Sequence, residues 1–221
     1  MQKNVIIFYG PPGAGKGTQA ERAATDYNLL HFDTGKFVEK LINDPKLQKN
    51  KTVMRQKKLF LSGKLADATW VGREVKKWIR ATAKRGKSIV MSGSPRTEEE
   101  AFYLKGGGVA DILVESYGLQ NILIVFLEVS VSESVKRNSK RGRPGLDEPE
   151  IIKIRCREYA KHTLPVIREM KKRGIKMVKI DGMPSKNLVE KAVDKEIKKF
   201  IKCQNSNRKK TSRRLKSRDA S

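Results

Sequence analysis

The residues best suited to chemistry form a glycine-rich loop near the N-terminus. The stretch from Gly10 to Thr18 reads GPPGAGKGT and directly follows the apolar run Val5–Tyr9. A buried strand that leads into a glycine-rich turn and then a helix is the arrangement of a phosphate-binding P-loop. Its backbone N–H groups and the positive helix end attract phosphate oxygens, and Lys16 adds a charge for the β- and γ-phosphates. The predicted contacts of a nucleoside triphosphate here are Gly13, Ala14, Gly15, Lys16, Gly17 and Thr18.

Strand-like and helical patterns alternate along the chain that must position this loop. The strand-like runs are Val5–Tyr9, a short run ending near His31 and Phe32, and residues 88–91, 122–129 and 176–180. Near-continuous apolar character in the first and fourth runs is typical of strands buried on both faces of a parallel sheet. Between the runs lie apolar stripes at helical spacing, formed by Val71, Val75, Trp78 and Ile79 and by Val189, Val193, Ile197 and Phe200. The alternation predicts a doubly wound α/β fold with a five-stranded parallel sheet.

Composition narrows the class of protein. At 221 residues with 38% hydrophobic content, the chain can bury one α/β core with a small insertion. We expect no membrane span, because no apolar run approaches about 18 residues, and no signal peptide, because a strand begins within five residues. Cys156 and Cys203 lie far apart, which predicts reduced thiols and a cytoplasmic location. His31 and His162 lack partners at metal-ligand spacing, so we expect structural roles for both.

The chain is strongly basic, with a formal net charge of +25. The segment 204–221 holds seven Lys or Arg residues against one acid, and its single large apolar residue is Leu215. Such a segment cannot bury enough apolar surface to fold, which predicts a disordered basic tail. Subtracting the tail's +6 leaves +19 along the body. Two interpretations stay open: a solvated, lysine-rich surface, or a weak, salt-sensitive attraction to nucleic acid or anionic surfaces.

Several short motifs together carry a family resemblance. In the general P-loop a Ser or Thr follows the Lys directly, whereas here Gly17 intervenes before Thr18. Asp33-Thr34-Gly35, then Ser62-Gly63-Lys64-Leu65, then Ser92-Gly93-Ser94-Pro95-Arg96-Thr97 follow in order. This set resembles the adenylate kinase and nucleoside monophosphate kinase family over residues 1 to about 202. The resemblance implies a P-loop NTPase fold in one domain, 1–203, with a helical monophosphate-binding segment at about 33–66 and a short lid at about 140–148.

The resemblance also implies a role for each matching residue. Phosphoryl transfer is mostly positioning and charge stabilisation, for which guanidinium groups are well suited. The implied catalytic cations are Lys16, Arg96, Arg141, Arg143 and Arg155. Three residues outside the loop are also implied to bind ATP. Arg137 would lie over the adenine and Arg141 would contact the phosphates. Gly182 belongs to the turn after the last strand. The implied monophosphate-binding residues are Thr34, Gly35, Lys36, Lys64, Ala66, Gly93, Arg96 and Glu100.

The chain departs from the family pattern on the magnesium side. In the family the ion is held mainly by phosphates and waters, so we expect Mg²⁺ bound with ATP and no direct protein ligand. The acids that would bond those waters are replaced by Lys36 and Ser92, and Asp33 is the nearest candidate to substitute through water. Where the family has an Arg that binds the phosphate of the monophosphate, this chain has Glu39. A cation is found three residues earlier, at Lys36. These changes are compatible with a rearranged set of phosphate contacts in an active kinase. They are equally compatible with a nucleotide-binding protein that has weakened catalytic activity and associates with nucleic acid.

The identity of the acceptor base depends on two positions. Thr34 favours adenine in this family. Four residues after Arg96, however, Glu100 replaces the usual Gln, and a carboxylate only accepts hydrogen bonds, which suits guanine better than adenine N1. Glu100 either contacts the base or points to solvent beside Glu98 and Glu99. We predict transfer from ATP to AMP by a cytoplasmic monomer, with GMP or UMP/CMP as the alternative acceptor.

Overall fold

The computed structural model describes the backbone of residues 3–218 and the side chains of residues 3–204. Its strands are β1 (Val5–Tyr9), β2 (Leu30–Asp33), β3 (Ile89–Ser92), β4 (Ile122–Glu128) and β5 (Lys176–Asp181). They pair in parallel in the order β2-β3-β1-β4-β5. This sheet confirms the predicted α/β fold, and each strand lies within about one residue of its predicted position.

Helices connect successive strands and cover both faces of the sheet. The helices are α1 (Lys16–Asp26), α2 (Thr34–Ile42), α3 (Lys51–Leu61), α4 (Ala68–Lys84), α5 (Val109–Tyr117), α6 (Val131–Arg141), α7 (Pro149–Glu158), α8 (Leu164–Lys172) and α9 (Lys186–Arg218). Short 3₁₀ turns occupy Pro45–Leu47 and Leu119–Asn121, and π-helical turns occupy Glu99–Tyr103 and Tyr159–Thr163. Helices α2 and α3 form the helical insertion between β2 and α4, where residues 33–66 were predicted to bind the monophosphate.

The sheet separates two apolar cores because successive side chains of a strand point to opposite faces. Val5, Ile7 and Tyr9 of β1 belong to the core under α4, α5 and α8. Ile6 and Phe8 belong to the core under α1 and α9. Strand β1 is buried along its whole length, as its continuous apolar sequence predicts. The loop that follows β1 therefore starts from one of the most rigid positions in the molecule.

The last helix is longer than the apolar stripe predicts. The stripe on α9 ends near Ile201, whereas the backbone helix continues to Arg218, into the segment predicted to be disordered. Gln204, which the composition assigns to the tail, is buried, and its amide donates to the backbone oxygen of Gln120. The packed part of the chain therefore reaches Gln204, and the side chains of 205–221 lie outside the described residues. Disorder of that remaining segment stays a prediction.

Candidate active site

The P-loop turns from β1 into α1 through glycines in the left-handed region. Gly13 has φ +78° and Gly15 has φ +87°, a conformation that side chains disfavour. A Cβ on Gly13 would also lie 2.5 Å from Asn138 Nδ2. Lys16 Nζ donates to the backbone oxygens of Gly10 and Pro11, at 2.8 Å each. The lysine thus lies folded over the loop, beside the N–H groups that would hold phosphate.

The surroundings of Lys16 are unusually positive. Desolvation, followed by Arg96, Arg155 and Arg141, lowers its pKa from 10.5 to about 7, and Asp33 opposes the change. The three arginines act on Lys16 through their charge, so they lie near it. The structure thereby brings Lys16 close to arginines that lie 80 or more residues away from it in the sequence. A multivalent anion such as a polyphosphate would relieve the repulsion among them.

Arg96 is held by a buried loop at the carboxyl end of β3. Its Nε donates to the Gly93 oxygen at 2.5 Å, and a Cβ on Gly93 would lie 2.6 Å from Arg96 Nη2. Gly93 has φ +89°, so the position requires glycine for both conformation and space. Tyr9 donates to the Pro95 oxygen at 2.8 Å, and Thr163 donates to the Arg96 oxygen at 3.0 Å. Two other elements therefore fix the backbone of this loop.

Glu100 is buried, so the expectation that it points to solvent is wrong. One carboxylate oxygen accepts from the Ser94 hydroxyl, and the other accepts from the Arg96 backbone N–H at 2.7 Å. Burial raises the pKa of Glu100, and these hydrogen bonds oppose the rise. The neighbouring acids Glu98 and Glu99 remain exposed. Glu100 therefore braces the Arg96 loop from inside, because the π-helical turn Glu99–Tyr103 rotates it inward.

A short turn between α6 and α7 gathers the predicted lid arginines around one carboxylate. Arg141 donates to both oxygens of Asp147, at 2.8 and 2.6 Å. Arg143 contacts both oxygens at 3.3 Å and also donates its backbone N–H, and Arg155 lies 3.6 Å away. Burial of Asp147 acts to raise its pKa, but the hydrogen bonds from Arg141 and Arg143 hold it well below its usual range. Asp147 was not among the predicted site residues.

Helix α6 lays a polar face against the P-loop. The Ser134 hydroxyl donates to the Pro12 oxygen, and Asn138 donates to the Ser134 oxygen at 2.7 Å. The Asn138 side-chain oxygen in turn accepts from Arg141. Asn138 was also missed by sequence reasoning, although its spacing from Ser134 and Arg141 places all three on one helix face. This face links the loop to the lid through hydrogen bonds.

The residues predicted to bind the adenine of ATP lie on α6 and in the turn after β5. Arg137 Nη2 donates to the Met183 oxygen at 3.3 Å, while its Nε pairs with Glu133 at 2.8 Å. The turn is tight because Gly182 donates to the Glu128 oxygen at 2.8 Å, and a Cβ on Gly182 would lie 2.7 Å from Val129 Cγ2. Arg137 thus lies beside the turn that contains Gly182, and contact of the two with adenine stays a prediction.

The monophosphate segment meets the lid side at Gly63. A Cβ on Gly63 would lie 3.1 Å from Arg155 Cγ, so this segment directly contacts the helix that carries a lid arginine. The Thr34 hydroxyl is buried and has no hydrogen-bond partner within the part of the chain that the structure describes. Ala66 packs on the core. A buried hydroxyl without a partner is a position where a ligand atom would be stabilised.

The two lysines of the monophosphate segment lie toward solvent. Lys64 is exposed, and Lys36 pairs its ammonium with Glu21 on α1. That pair is exposed and of low energetic weight, so a ligand phosphate could draw Lys36 away. Gly35 lies against Asp33, because a Cβ there would be 3.2 Å from Asp33 Oδ1. Assignment of Lys36, Lys64 and Gly35 to the monophosphate stays a prediction.

The carboxyl ends of β2 and β3 place an acid beside the P-loop. Asp33 pairs in register with Ser92, and its Oδ1 caps α2 by accepting from Lys36 N at 3.0 Å. Its Oδ2 faces the first turn of α1, since a Cβ on Gly17 would lie 3.3 Å from it. Ser92, where the family has an acid, instead contacts His31 Nε2 at 3.0 Å. Burial lowers the pKa of His31.

Other candidate chemistries receive no support from the described residues. Residues 3–204 contain no cluster of three or more His, Cys, Asp or Glu side chains that could hold a metal directly. Cys156 and Cys203 are free in this part of the chain. No helix of the described residues is long and apolar enough to cross a membrane. The positive cluster around Lys16 remains the outstanding chemical feature.

Comparison with known proteins gives a consistent result. A family model described as adenylate kinase matches residues 8–175. The adenylate kinase of Encephalitozoon cuniculi is 31% identical over 199 residues, covering 89% of this chain and 99% of that protein. That of Leptospira biflexa is 34% identical over 199 residues, covering 87% and 98%. That of Agrobacterium fabrum is 29% identical, covering 88% and 97%.

Proposed function

The chain belongs to the adenylate kinase family, and on that premise we propose that it transfers the γ-phosphoryl group of ATP to AMP, giving two ADP. The observation that carries the proposal is the gathering of cations beside the P-loop. Helix α6 contacts the loop through Ser134 and carries Arg141, and Arg141 and Arg155 share Asp147. The charges of Arg96, Arg141 and Arg155 all act on Lys16. A reaction between two phosphate anions needs this excess of positive charge. The enzyme is accordingly a phosphotransferase with a phosphate group as acceptor.

The reaction forms one bond and breaks one. A phosphate oxygen of AMP attacks the γ-phosphorus, and the bond from that phosphorus to the β–γ bridging oxygen breaks, so that the β-phosphate leaves on ADP. Lys16 is proposed to stabilise charge on the β- and γ-phosphates, Arg96 to hold the attacking monophosphate, and Arg141, Arg143 and Arg155 to close on the moving group. Since these cations are held by the loop, by β3 and by α6 and α7, closure of the lid completes the site.

Adenine as the acceptor base is supported by Thr34, whose buried hydroxyl lacks a protein partner in the described residues. Glu100 already accepts hydrogen bonds on both oxygens from its own loop, which weakens the case for guanine. The test is a coupled assay with Mg²⁺·ATP and AMP, GMP, UMP, CMP or dTMP. We expect the highest kcat/KM with AMP. A higher value for another monophosphate would reassign the acceptor, and no turnover with any of them would make the chain a binding protein.

The residues beside the P-loop fit magnesium held through water. Bound with ATP, Mg²⁺ would neutralise charge on the phosphates during transfer. Asp33 Oδ2 faces the first turn of α1, so we propose that this carboxylate accepts hydrogen bonds from the waters of the ion. An acid at the end of β2 would thereby take the role of the acid that Ser92 replaces on β3.

The substitution Asp33→Asn tests this role without removing the helix cap, because Asn also caps helices well. Loss of a group that orients metal-bound ligands costs about 10- to 100-fold in metal affinity. We therefore expect calorimetry to show binding of Mg²⁺·ATP about tenfold weaker than in the wild type, with binding of ATP in EDTA unchanged or tighter. Asp44→Asn, which alters the cap of the turn Pro45–Leu47, is the matched control. Equal weakening with and without Mg²⁺ would contradict the role.

The boundaries and setting of the enzyme complete the proposal. We infer one kinase domain, predicted as 1–203 and extended to Gln204 by the packing of that residue. It includes the monophosphate segment at about 33–66 and the lid at about 140–148, and a basic tail, 205–221, follows it. The protein would act as a monomer in the cytoplasm, and its free cysteines are compatible with that reducing compartment. The tail's seven Lys or Arg residues favour weak, nonspecific contact with nucleic acid. Size-exclusion chromatography with light scattering would test the monomer.

A further inference from the structure

Helix α4 carries a row of cations on its exposed face. Arg73, Lys77, Arg80 and Lys84 follow one another at spacings of four, three and four residues, which places them on one side of an α-helix. All four are exposed. We call these four residues the α4 basic row. The opposite side of α4 is buried in the core with Val75, so the row is fixed to the sheet.

A groove runs along the basic row. Its volume is about 560 Å³, and the row, Lys76 and Ala81 line it. Lys76 Nζ donates to the backbone oxygens of Lys105 at 3.0 Å and Gly107 at 2.8 Å, which ties the helix to the neighbouring loop. Apart from Ala81, every residue that lines the groove is a lysine or an arginine. The groove suits an extended anion better than a neutral ligand.

The positive charge of the row is largely uncompensated by the protein. Arg73 contacts Glu74 at 3.1 Å, but Lys77, Arg80 and Lys84 have no ion pair among the described residues. Like charges three or four residues apart destabilise a helix. A purely structural surface helix would be more stable with acids interspersed. An anionic partner would supply the missing counter-charge.

We propose that the α4 basic row binds the sugar–phosphate backbone of a nucleic acid. Arg73 and Lys84 are eleven positions apart, which corresponds to about 16 Å along the helix. A nucleic-acid strand carries one phosphate per about 3.4 Å of axis. The row therefore matches four or five successive phosphates of one strand. No aromatic side chain lines the groove, so nothing in it would stack on bases. Recognition would depend on charge and not on sequence.

A membrane surface fits the row less well. A helix that lies on a bilayer inserts an apolar face beside its basic face. The apolar side of α4 is occupied by the protein core, and none of the large exposed apolar side chains in the described residues lies on α4. The row offers lipids only charge, without an anchor. A rigid line of cations is better matched to a linear polyanion.

The row leads away from the nucleotide site: Arg73 follows Gly72, which packs against Glu100, and Lys84 lies at the far end of the helix. Lys84 precedes the amino end of β3, whereas Lys16 and Arg96 lie at the carboxyl ends of β1 and β3. Nucleic acid bound along α4 would leave the kinase site open. Variants of the row should therefore retain the kinase activity, which separates this proposal from the proposed function.

The test compares two triple variants of the full chain that remove the same charges. Lys77→Gln, Arg80→Gln and Lys84→Gln neutralise the row, and Arg168→Gln, Lys171→Gln and Lys172→Gln neutralise exposed cations of α8 as the control. Fluorescence anisotropy would follow a labelled 20-nucleotide poly(U) and a 20-base-pair duplex between 50 and 300 mM KCl. For three lost phosphate contacts, the slope of log K against log salt should fall by about 2 to 3. We expect at least tenfold weaker binding from the row variant and less than threefold from the control.

Several outcomes would overturn the proposal. Equal losses in the two triple variants would mean that total charge, including that of the tail, is responsible. Absence of binding to either oligonucleotide at 50 mM KCl would mean that the row is a solvated surface. Row-dependent binding to phosphatidylserine vesicles without binding to oligonucleotides would assign the row to membranes. Melting temperatures establish that each variant is folded, and the single variant Arg80→Glu supplies an independent test should the triple variant be unstable.

Discussion

Three cations of the site, Lys16, Arg96 and Arg155, are all positive charges removed from water. Desolvation lowers the pKa of each, to about 7 for Lys16 and to about 10 for Arg155, and each is affected by at least one ionised neighbour. Asp33 opposes the effect at Lys16 and Asp147 opposes it at Arg155. Even with Glu100 beside Arg96, three carboxylates cannot neutralise Lys16 and four arginines. The site therefore holds positive charge that its substrates neutralise.

The first prediction concerns the pH dependence of ATP binding. Because the pKa of Lys16 is lowered to about 7, its ammonium loses the proton as pH rises above that value, whereas an unfolded lysine would keep it until about pH 10. ATP needs the charged form, so its Kd should rise by about tenfold per pH unit above 7 until the pKa in the complex is reached. Calorimetry between pH 6.5 and 9 measures this slope. Lys16→Arg, which does not titrate there, should flatten it, and an unchanged slope would exclude Lys16 as its source.

The second prediction concerns the monophosphate. A cation that serves both the bound substrate and the transition state supports KM and kcat together. Arg96→Ala should therefore raise KM for AMP and lower kcat, with a fall in kcat/KM of about a hundredfold, the scale of losing one charge-stabilising donor. Initial-rate kinetics with AMP varied at saturating ATP make the measurement. Arg157→Ala, on the exposed side of α7, should leave both constants unchanged. Wild-type AMP kinetics in Arg96→Ala would remove Arg96 from the site.

At the level of elements, the lid turn is organised by a buried carboxylate. Asp147 gathers three arginines: Arg141 and Arg143 by hydrogen bonds that hold its pKa well below the usual range, and Arg155 as an ion pair at 3.6 Å. A depressed carboxyl pKa contributes stability above the unfolded value near 4, and that stability is lost as pH falls below it. The turn is therefore equally stabilised throughout the neutral range. We predict that the same arginines exchange Asp147 for phosphate when ATP binds.

The third prediction follows from this exchange. Asp147→Asn keeps the shape and removes the charge, which should destabilise the free protein by about 1 to 3 kcal/mol, the usual cost of losing charge-assisted hydrogen bonds. Phosphates of ATP replace the missing charge, so Mg²⁺·ATP should raise the melting temperature of the variant more than that of the wild type. Differential scanning calorimetry with and without ligand provides the comparison. Glu150→Gln, which loses only an exposed pair with Lys153, should match the wild type. A smaller ligand-induced rise in Asp147→Asn would refute the exchange.

Prediction from sequence worked best where chemistry is local. The strands followed from short apolar runs, and the P-loop from residue types within one turn, because backbone conformation there depends on neighbours in sequence. Asp147 was missed because Arg141 and Arg155 reach it from the two neighbouring helices. Asn138 was missed because its place in the site depends on contact with the distant P-loop glycine Gly13. Glu100 illustrates the same limit, since a π-helical turn decides whether it faces water or the Arg96 loop. The sequence pattern around Glu100 does not indicate that this turn rotates its side chain inward.

At the scale of the whole molecule, the net charge of +25 has two separable parts. The active-site cations face substrates and are partly balanced by Asp33 and Asp147. The remaining cations lie on surfaces such as the α4 basic row and in the tail 205–221. Only the second group can attract a polyanion while the kinase site is occupied. Salt should therefore weaken nucleic-acid binding far more than it weakens catalysis.

The last prediction separates the tail from the folded kinase. Deletion of 205–221 removes seven Lys or Arg residues and one acid, and it keeps Gln204, whose amide bonds Gln120. Because Leu215 is the one large apolar residue in that segment, little packing is lost, and melting temperature and kcat should stay within error. Anisotropy with poly(U) should show weaker binding and a smaller salt slope. A variant with the seven cations changed to Gln, at full length, should bind as the deletion does. Loss of kinase activity in both variants, with unchanged melting, would instead place tail cations in the nucleotide site.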